Sequence, residues 1–410
     1  MNKENLYSAD PRAAIQSLGA SRIREVANAG MGRQDVLPFW FGEPDEVTPA
    51  FIRDAAKHSI DAGDTFYAHN LGLPRLRETL ADYSSRLHRS VSADQIAVTS
   101  SGVSALMLLA QLLINPGDRV VAVTPLWPNL LEIPKILGAE VIPVALQMNT
   151  GDSSAGSSAA PVWELDIERL LHALTPGTKA LLLNSPNNPT GWTITREQQV
   201  LLLEHCRKLG IWLLADDVYE RLIYDVPESE LACAPSFLDL IDKDERVVSV
   251  NSFSKAWLMT GWRLGWMQMP LSLMTGLGKL IEYNTSCAPV FIQNAGIVAV
   301  EQGEDIVRHT LARYTAARNY LYEQLSSPAF RDAGILAPKP QGAMYLFFRI
   351  AGENDTLSLC KRLVAEAGLG LAPGSAFGPE GEGAIRWCFA SSLPRLEQGV
   401  ERLKRFLAQR

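Results

Sequence analysis

Short apolar runs recur through the middle of the chain: IAVTS, RVVAVT, EVIPVAL, KALLLNSP, IWLLADD and RVVSVNSFSK. Each is of strand length, rich in Val, Ile or Leu, and closes on polar or turn-forming residues, which predicts buried strands. Helical stretches lie between several of them, such as Arg196–Leu209 before IWLLADD. Near-continuous apolar strands alternating with helices predict an α/β fold with a mainly parallel sheet covered on both faces. Ligands of such sheets bind outside the carboxyl ends of the strands, so the polar residues closing these runs are where chemistry is expected. After residue 300 the pattern changes. DIVRHTLARYTAARNYLYEQLSS predicts one long helix from Asp305 to about Ser326, and MYLFFRI a strand. A helix near Thr356–Ala367, a Gly-rich turn (GLGLAPGSAFG), the strand-like AIRWCFA and a final basic helix follow. This region predicts a smaller α+β domain. GDSSAGSSAAP, Gly151–Pro161, is too small and polar to bury surface and predicts a mobile surface loop without a function of its own.

Composition narrows the class. At 410 residues, 47% hydrophobic, the chain can bury large cores without metals or disulfides as staples. Thirty-eight basic against 45 acidic residues leave a net charge of −7, which argues against general nucleic-acid binding. The five cysteines, Cys206, Cys233, Cys287, Cys360 and Cys388, are scattered, with no CxxC pair. Their spacing signals neither a disulfide framework nor a metal site, and reads as reduced core thiols. The longest apolar stretch, near Val103–Ile114, is too short for a membrane span, and MNKENLYSADPRAA lacks the apolar run of a signal peptide, so a cytoplasmic protein is expected.

The strand ends carry the candidate chemistry. TSSGVSAL (Thr99–Leu106) puts a small-residue turn before a helix, where free N–H groups and the positive dipole end suit a phosphate. In PLWPNL, two prolines flank Trp127 and would hold its ring rigidly. NSPNNPTGW (Asn184–Trp192) is a polar, turn-forming cluster ending a buried strand. LLADDVYERL (Leu213–Leu222) ends one with two carboxylates, and a buried charge needs a partner. In SFSKAWLMTGWRLGW (Ser252–Trp266), Lys255 follows an apolar strand, where burial lowers a lysine pKa and favours Schiff-base chemistry. Arg263 suits bidentate phosphate binding.

The ordered set SGV, LWPN, NNPTG, DDVY and SFSK with an arginine eight residues after the lysine resembles the class I/II aminotransferases. These are pyridoxal-5′-phosphate (PLP) enzymes of fold-type I, aspartate-aminotransferase-like. FGEPD (Phe41–Asp45), TFYAHNLGLPRLRETL (Thr65–Leu80), QGAMY (Gln341–Tyr345) and IRWCFA (Ile385–Ala390) extend the resemblance over nearly the whole chain. It implies a large PLP-binding domain with a mainly parallel seven-stranded sheet over 47–303. A small domain over 304–410 and an N-terminal arm over 1–46, partly joined to the small domain, complete the expected division.

By the same resemblance, Lys255 matches the Schiff-base lysine that moves the proton between substrate and cofactor. Asp216, chosen over Asp217 by the D-x-x-Y spacing to Tyr219, matches the partner of the pyridine nitrogen. Tyr219 and Asn188 match the pair that bonds the phenolic oxygen, and Trp127 the ring-stacking aromatic. Ser101, Gly102, Val103 (through its backbone N–H), Ser252, Ser254 and Arg263 match the phosphate cup. Tyr67 matches a tyrosine that reaches the partner subunit's phosphate, implying a homodimer with shared sites. The arm, 1 to about 20, is expected to pack on that partner. Arg386 matches the clamp on the substrate α-carboxylate, with the backbone of Gly42, and Asn188, beside it.

The implied activity moves an amino group from an L-amino acid to a 2-oxo acid by a ping-pong route. The alternative is a carbon–sulfur β-lyase on the same frame. A PLP-sensing regulator is disfavoured, because FGEPD begins at about residue 41 and leaves no room for a DNA-binding domain. Two places depart from the family pattern. Leu130 stands where some members carry a histidine behind the aspartate, and Val103 where some aspartate enzymes carry a lysine. Val103, with Trp40 and Trp257, points to an apolar or aromatic substrate side chain, unless a loop arginine such as Arg22 or Arg24 supplies a second cation. The Thr124–Pro125 and Asn188–Pro189 bonds are expected to be cis.

Overall fold

A computed structural model describes residues 10–150, 160–226, 231–242 and 244–409. Most of the 151–161 loop, and residues 1–9 of the arm, lie outside the described residues. The six predicted runs form strands of one seven-stranded sheet. Its order is Ile96–Thr99, Gly265–Gln268, Val247–Ser252, Trp212–Asp216, Thr178–Asn184, Arg119–Thr124, Glu140–Ala145. Gly265–Gln268 is antiparallel to both neighbours, and the other four pairings, from Val247–Ser252 onward, are parallel. This strand carries no β-branched residue and opens on glycine, so its composition does not announce it.

The unbroken apolar runs follow from two-sided burial. Val121, Val123, Leu181, Leu183, Leu213 and Ala215 enter one core, while Val120, Ala122, Ala180, Leu182, Leu214 and Val248 enter the other. Side chains alternate between the faces of a strand, so both faces need apolar residues. The helix Arg196–Leu209 keeps its predicted bounds, because Thr195 and Gln198 form a reciprocal capping box and Gly210 ends it in the left-handed region.

A second sheet, antiparallel and four-stranded, orders Ile335–Leu336, Tyr345–Ile350, Ala384–Cys388 and Ala372–Pro373. The helices Glu304–Leu325, Thr356–Ala367 and Leu393–Leu407 belong to the same stretch of chain. Helix Arg22–Gly30 buries Ile23, Val26 and Ala27 in a core that also holds Val364, Leu369 and Leu371. Leu37–Pro38 pairs in parallel with Leu369–Gly370. Farther upstream, the short helix Ala13–Gln16 follows Arg12, whose guanidinium donates to the Ile136 carbonyl at 2.9 Å. Among the described residues, no helix is long and apolar enough to cross a membrane.

Candidate active site

Five strand ends and two segments of the carboxy-terminal region meet around a cleft of about 380 Å³, a volume suited to a small organic ligand. Register explains the convergence. Asn184 pairs with Asp216, and Gly265 faces both Thr99 and Ser252, so the polar closing residues fall along one edge.

One end of the cleft is built for an anion. Ser101, between strand Ile96–Thr99 and helix Gly102–Leu113, has φ 149° and ψ 163°, a conformation that costs any residue with a side chain. Its hydroxyl caps the helix by accepting from Ser104 N–H at 3.0 Å. The N–H groups of Gly102 and Val103 precede the first intrahelical bond, from Ala105 N–H to Ser101 C=O. Across from them, Ser252 Oγ donates to Ser254 Oγ at 3.0 Å. Arg263, held at φ 55°, lines the same end, and burial lowers its guanidinium pKa. Among the described residues no carboxylate forms an ion pair with it. A Cβ on Gly265 would sit 2.5 Å from Gly102 N, so only glycine lets this turn lie on the sheet.

In the middle of the cleft, Asp216 and Lys255 are both shifted toward neutral pH. Asp216, 4% exposed, has its carboxyl pushed up to about 7 by burial and by neighbouring Asp217. Among the described residues its carboxylate takes one hydrogen bond, at 3.4 Å from Val218 N–H, and no ion pair. Asp217 is satisfied elsewhere, accepting from Ser249 Oγ at 2.6 Å and Ser236 Oγ at 3.3 Å. The residue left facing the cleft is therefore Asp216. Lys255 Nζ donates to the Gly42 carbonyl at 2.5 Å, and burial brings its pKa down to about 8. The neutral amine is then far more populated near neutral pH than in an exposed lysine, which makes it a usable nucleophile and base. The Tyr219 and Tyr345 hydroxyls lie 2.7 Å apart, their rings nearly perpendicular. Trp127 lines the cleft at the start of helix Pro128–Ile136, after a cis Thr124–Pro125 bond; Ser185–Pro186 and Asn188–Pro189 are also cis.

The third part is built around Arg386. It is 2% exposed on strand Ala384–Cys388, and donates to Asn188 Oδ1 at 2.9 Å and to the Trp40 carbonyl at 2.5 Å. Its Nε has no partner among the described residues, although it is buried. The rings of Tyr345 and Phe377 lie 4.4 and 4.8 Å from its carbon. A buried guanidinium with an unused N–H and no carboxylate paired to it among the described residues is set to receive one. Gly42 is required beside it, because a Cβ there would fall 2.0 Å from the Tyr345 hydroxyl.

Several sequence expectations need revision. The Trp40 ring lies against Gly30 and Gly370, and Trp257 packs among Tyr83, Phe253 and Trp266, so neither ring lines the cleft. Phe41, Ile23 and Leu106 supply apolar lining instead. Arg24 also lines the cleft, on helix Arg22–Gly30 rather than a loop, with its guanidinium 4.8 Å over Phe41. Arg22 instead points to the Ser375 carbonyl at 3.5 Å. Leu130 is buried among Leu182 and Leu214, so apolar packing stands where a histidine was considered. Support for the aspartate strand comes from Asn184, whose Nδ2 donates to Asp216 C=O at 3.0 Å and whose Oδ1 accepts from Asn188 N–H at 2.7 Å. Asn184 and Tyr345 opened and closed recognised motifs without an assigned role; only contact across the fold reveals their positions. Tyr67 is 88% exposed and lines a separate depression with Phe66, Thr285 and Phe291.

A family model described as aminotransferase class I and II matches residues 34–403. The aspartate aminotransferase of Thermotoga maritima is 32% identical over 92% of this chain and 93% of its own length. Among solved structures, a single mutant of the Thermus thermophilus aspartate aminotransferase superposes with TM-score 0.85 at 29% identity, covering 97% of this chain and all of its own. The aromatic aminotransferase of Pyrococcus horikoshii gives 0.81 at 29% identity, covering 94% and 99%.

Proposed function

The chain belongs to the class I and II aminotransferases and is a transaminase; on that premise we propose that it uses pyridoxal 5′-phosphate to pass the amino group of an L-amino acid to a 2-oxo acid in two half-reactions. The observation that carries this reading is Asp216, a buried carboxylate facing the cleft with no ion pair among the described residues. A protonated pyridine nitrogen is the partner that would offset its burial. The donor set fits the rest of the cofactor. The Gly102 and Val103 N–H groups, the Ser101, Ser252 and Ser254 hydroxyls and Arg263 would hold the phosphate. Tyr219 and Asn188 would bond the phenolic oxygen, and Trp127 would cover the ring. Lys255 would hold the cofactor covalently. When bound, the cofactor supplies an electron sink for the electrons left at the substrate Cα.

The chain's own residues do the remaining work. Lys255 takes and returns the Cα proton, a role suited to an amine whose pKa is near 8. Arg386 grips the α-carboxylate in bidentate fashion, with Asn188 fixing the guanidinium plane. Beyond that clamp, Arg24 and Phe41 meet the substrate side chain. The second cation that the motifs do not nominate is therefore available, and a side-chain carboxylate would be accepted alongside aromatic groups. The site is completed in a homodimer, in which Tyr67 reaches the partner's phosphate. The division into a large domain over 47–303 and a small domain over 304–410 with the arm would let Arg386 and Arg24 close on the substrate together.

Borohydride reduction of the cofactor-loaded enzyme, followed by peptide mass spectrometry, tests the central assignment. The phosphopyridoxyl mass should appear on the peptide containing Lys255. Its appearance on another lysine, or a fully loaded enzyme that reduction leaves unlabelled, would contradict the reading.

A further inference from the structure

Behind the turn that follows Asp216, three potential metal ligands from distant parts of the sequence converge. They are His88 at the end of helix Pro74–Leu87, Glu220 in the turn, and Cys233 before the short helix Phe237–Asp239. Their donor atoms all lie within 4.8 Å of one another. His88 Nε2 is 3.3 Å from Glu220 Oε2 and 3.8 Å from Cys233 Sγ. The separation from Glu220 is long for a charge-assisted N–H···O hydrogen bond, which runs at about 2.7–2.9 Å. Both distances lie near the ligand–ligand separations of a tetrahedral zinc ion, whose bonds of about 2.0–2.3 Å put neighbouring ligand atoms roughly 3.3–3.8 Å apart, and the Glu220–Cys233 pair lies within 4.8 Å.

The other ring nitrogen behaves as the second half of such a site requires. His88 Nδ1 is 2.8 Å from Asp239 Oδ1, a normal hydrogen bond that holds a proton on Nδ1, so the nitrogen that would meet a metal, after losing any proton of its own, is Nε2. Asp239 is itself held by Arg196 and by the backbone N–H of Ser236. Glu220 is oriented by Tyr83, whose hydroxyl is 3.4 Å from its other oxygen. The set is thus two anionic donors and one imidazole, with a carboxylate behind the imidazole.

We propose that His88, Glu220 and Cys233 bind a divalent zinc ion, with Asp239 positioning the histidine. Three protein ligands leave a fourth position for water, beside Cys233, which is only partly buried. As the metal enters, the thiol proton and any second imidazole proton leave to solvent, so the thiolate, carboxylate and neutral imidazole carry a charge of −2 against +2. The ion would tie the turn bearing Asp216 and Tyr219 to helix Pro74–Leu87 and to the segment around Cys233. Residues 88, 220 and 233 form no local motif, which is why the cysteine spacing did not signal the site.

The test uses the holoenzyme dialysed against chelator, then equilibrated with buffered free zinc. Metal content and zinc-edge X-ray absorption are read together. One zinc per chain with a single sulfur among nitrogen and oxygen neighbours is expected. Cys233→Ala should lose that zinc while its cofactor absorbance and circular dichroism match those of the wild type. Asp239→Asn should bind zinc about 10–100-fold more weakly, the usual cost of losing a carboxylate behind a ligating histidine. Cys287→Ala should bind as the wild type does. The proposal is overturned if folded wild-type enzyme retains no stoichiometric zinc, if the zinc shell lacks sulfur, or if Cys233→Ala binds zinc unchanged. Any of these would leave the cluster as an imidazolium bridging Asp239 and Glu220.

Discussion

Lys255 and Asp216 show how burial sets chemistry at single residues. Burial lowers the lysine and raises the carboxyl, so both sit near neutral pH before any ligand is bound. Lys255→Ala should lower kcat by about 10²–10⁴-fold or more, as loss of a general acid–base group does, while cofactor still binds. Near-normal turnover in that variant would remove Lys255 from the mechanism. For Asp216 the sign of the pH effect can be derived. A folded pKa near 7, above the usual carboxyl value, means the folded cofactor-free protein holds a proton that the unfolded chain has released. That contribution to stability is full below about pH 4 and is lost as pH rises through 7. Asp216→Asn should therefore stabilise the cofactor-free protein above pH 7, by roughly 1–3 kcal/mol, yet weaken cofactor function. Thermal melts of both apo proteins from pH 5 to 8 check this; parallel curves would show that the carboxyl is not strained by burial. Arg24→Met should lower kcat/KM for aspartate by about tenfold or more while leucine is little affected, as one unpaired substrate carboxylate would cost. Equal losses for both would make Arg24 a structural residue.

At the scale of elements, strand and helix types were legible in the chain because two-sided burial writes continuous apolar runs, and the Thr195 and Gly210 caps write helix ends. The strand Gly265–Gln268 escaped, since glycine, tryptophan, methionine and glutamine carry no alternation. Motif residues such as Asp216 and Arg386 could be placed by resemblance, and the cleft brings them together. The cleft's lining beyond the motifs was not legible in the chain: Trp40 turns away onto two glycines, and Arg24 arrives on a helix from the N-terminal region. Such placement depends on helix packing across the fold, which no local pattern encodes. Glycine 265 marks where elements touch. Gly265→Ala would push a methyl to 2.5 Å from Gly102 N, lifting the helix N-terminus from the sheet. Stability should fall by about 1–3 kcal/mol, the cost of overpacking, and cofactor phosphate affinity should fall with it. Unchanged affinity, measured by equilibrium dialysis, would separate that helix end from the phosphate.

For the whole molecule, Phe66, Tyr67 and Tyr283 are large aromatic residues left 83%, 88% and 90% exposed in a single chain. Phe66 and Tyr67 line one depression together, and exposed aromatics of this kind suit an interface with a second copy. Sedimentation should find a dimer, and Tyr67→Phe should speed cofactor loss without disturbing the fold. A fully active monomer would contradict shared sites.

The most direct measurement of the central claim is a single half-reaction. The loaded enzyme is mixed with one amino acid and no acceptor, and cofactor absorbance and released product are followed together. The account predicts conversion of the bound cofactor to its amine form with one 2-oxo acid released per subunit, then recovery on adding a different 2-oxo acid. Release of ammonia and pyruvate over repeated turnovers without an acceptor, with the cofactor unchanged, would contradict it and point to the carbon–sulfur lyase.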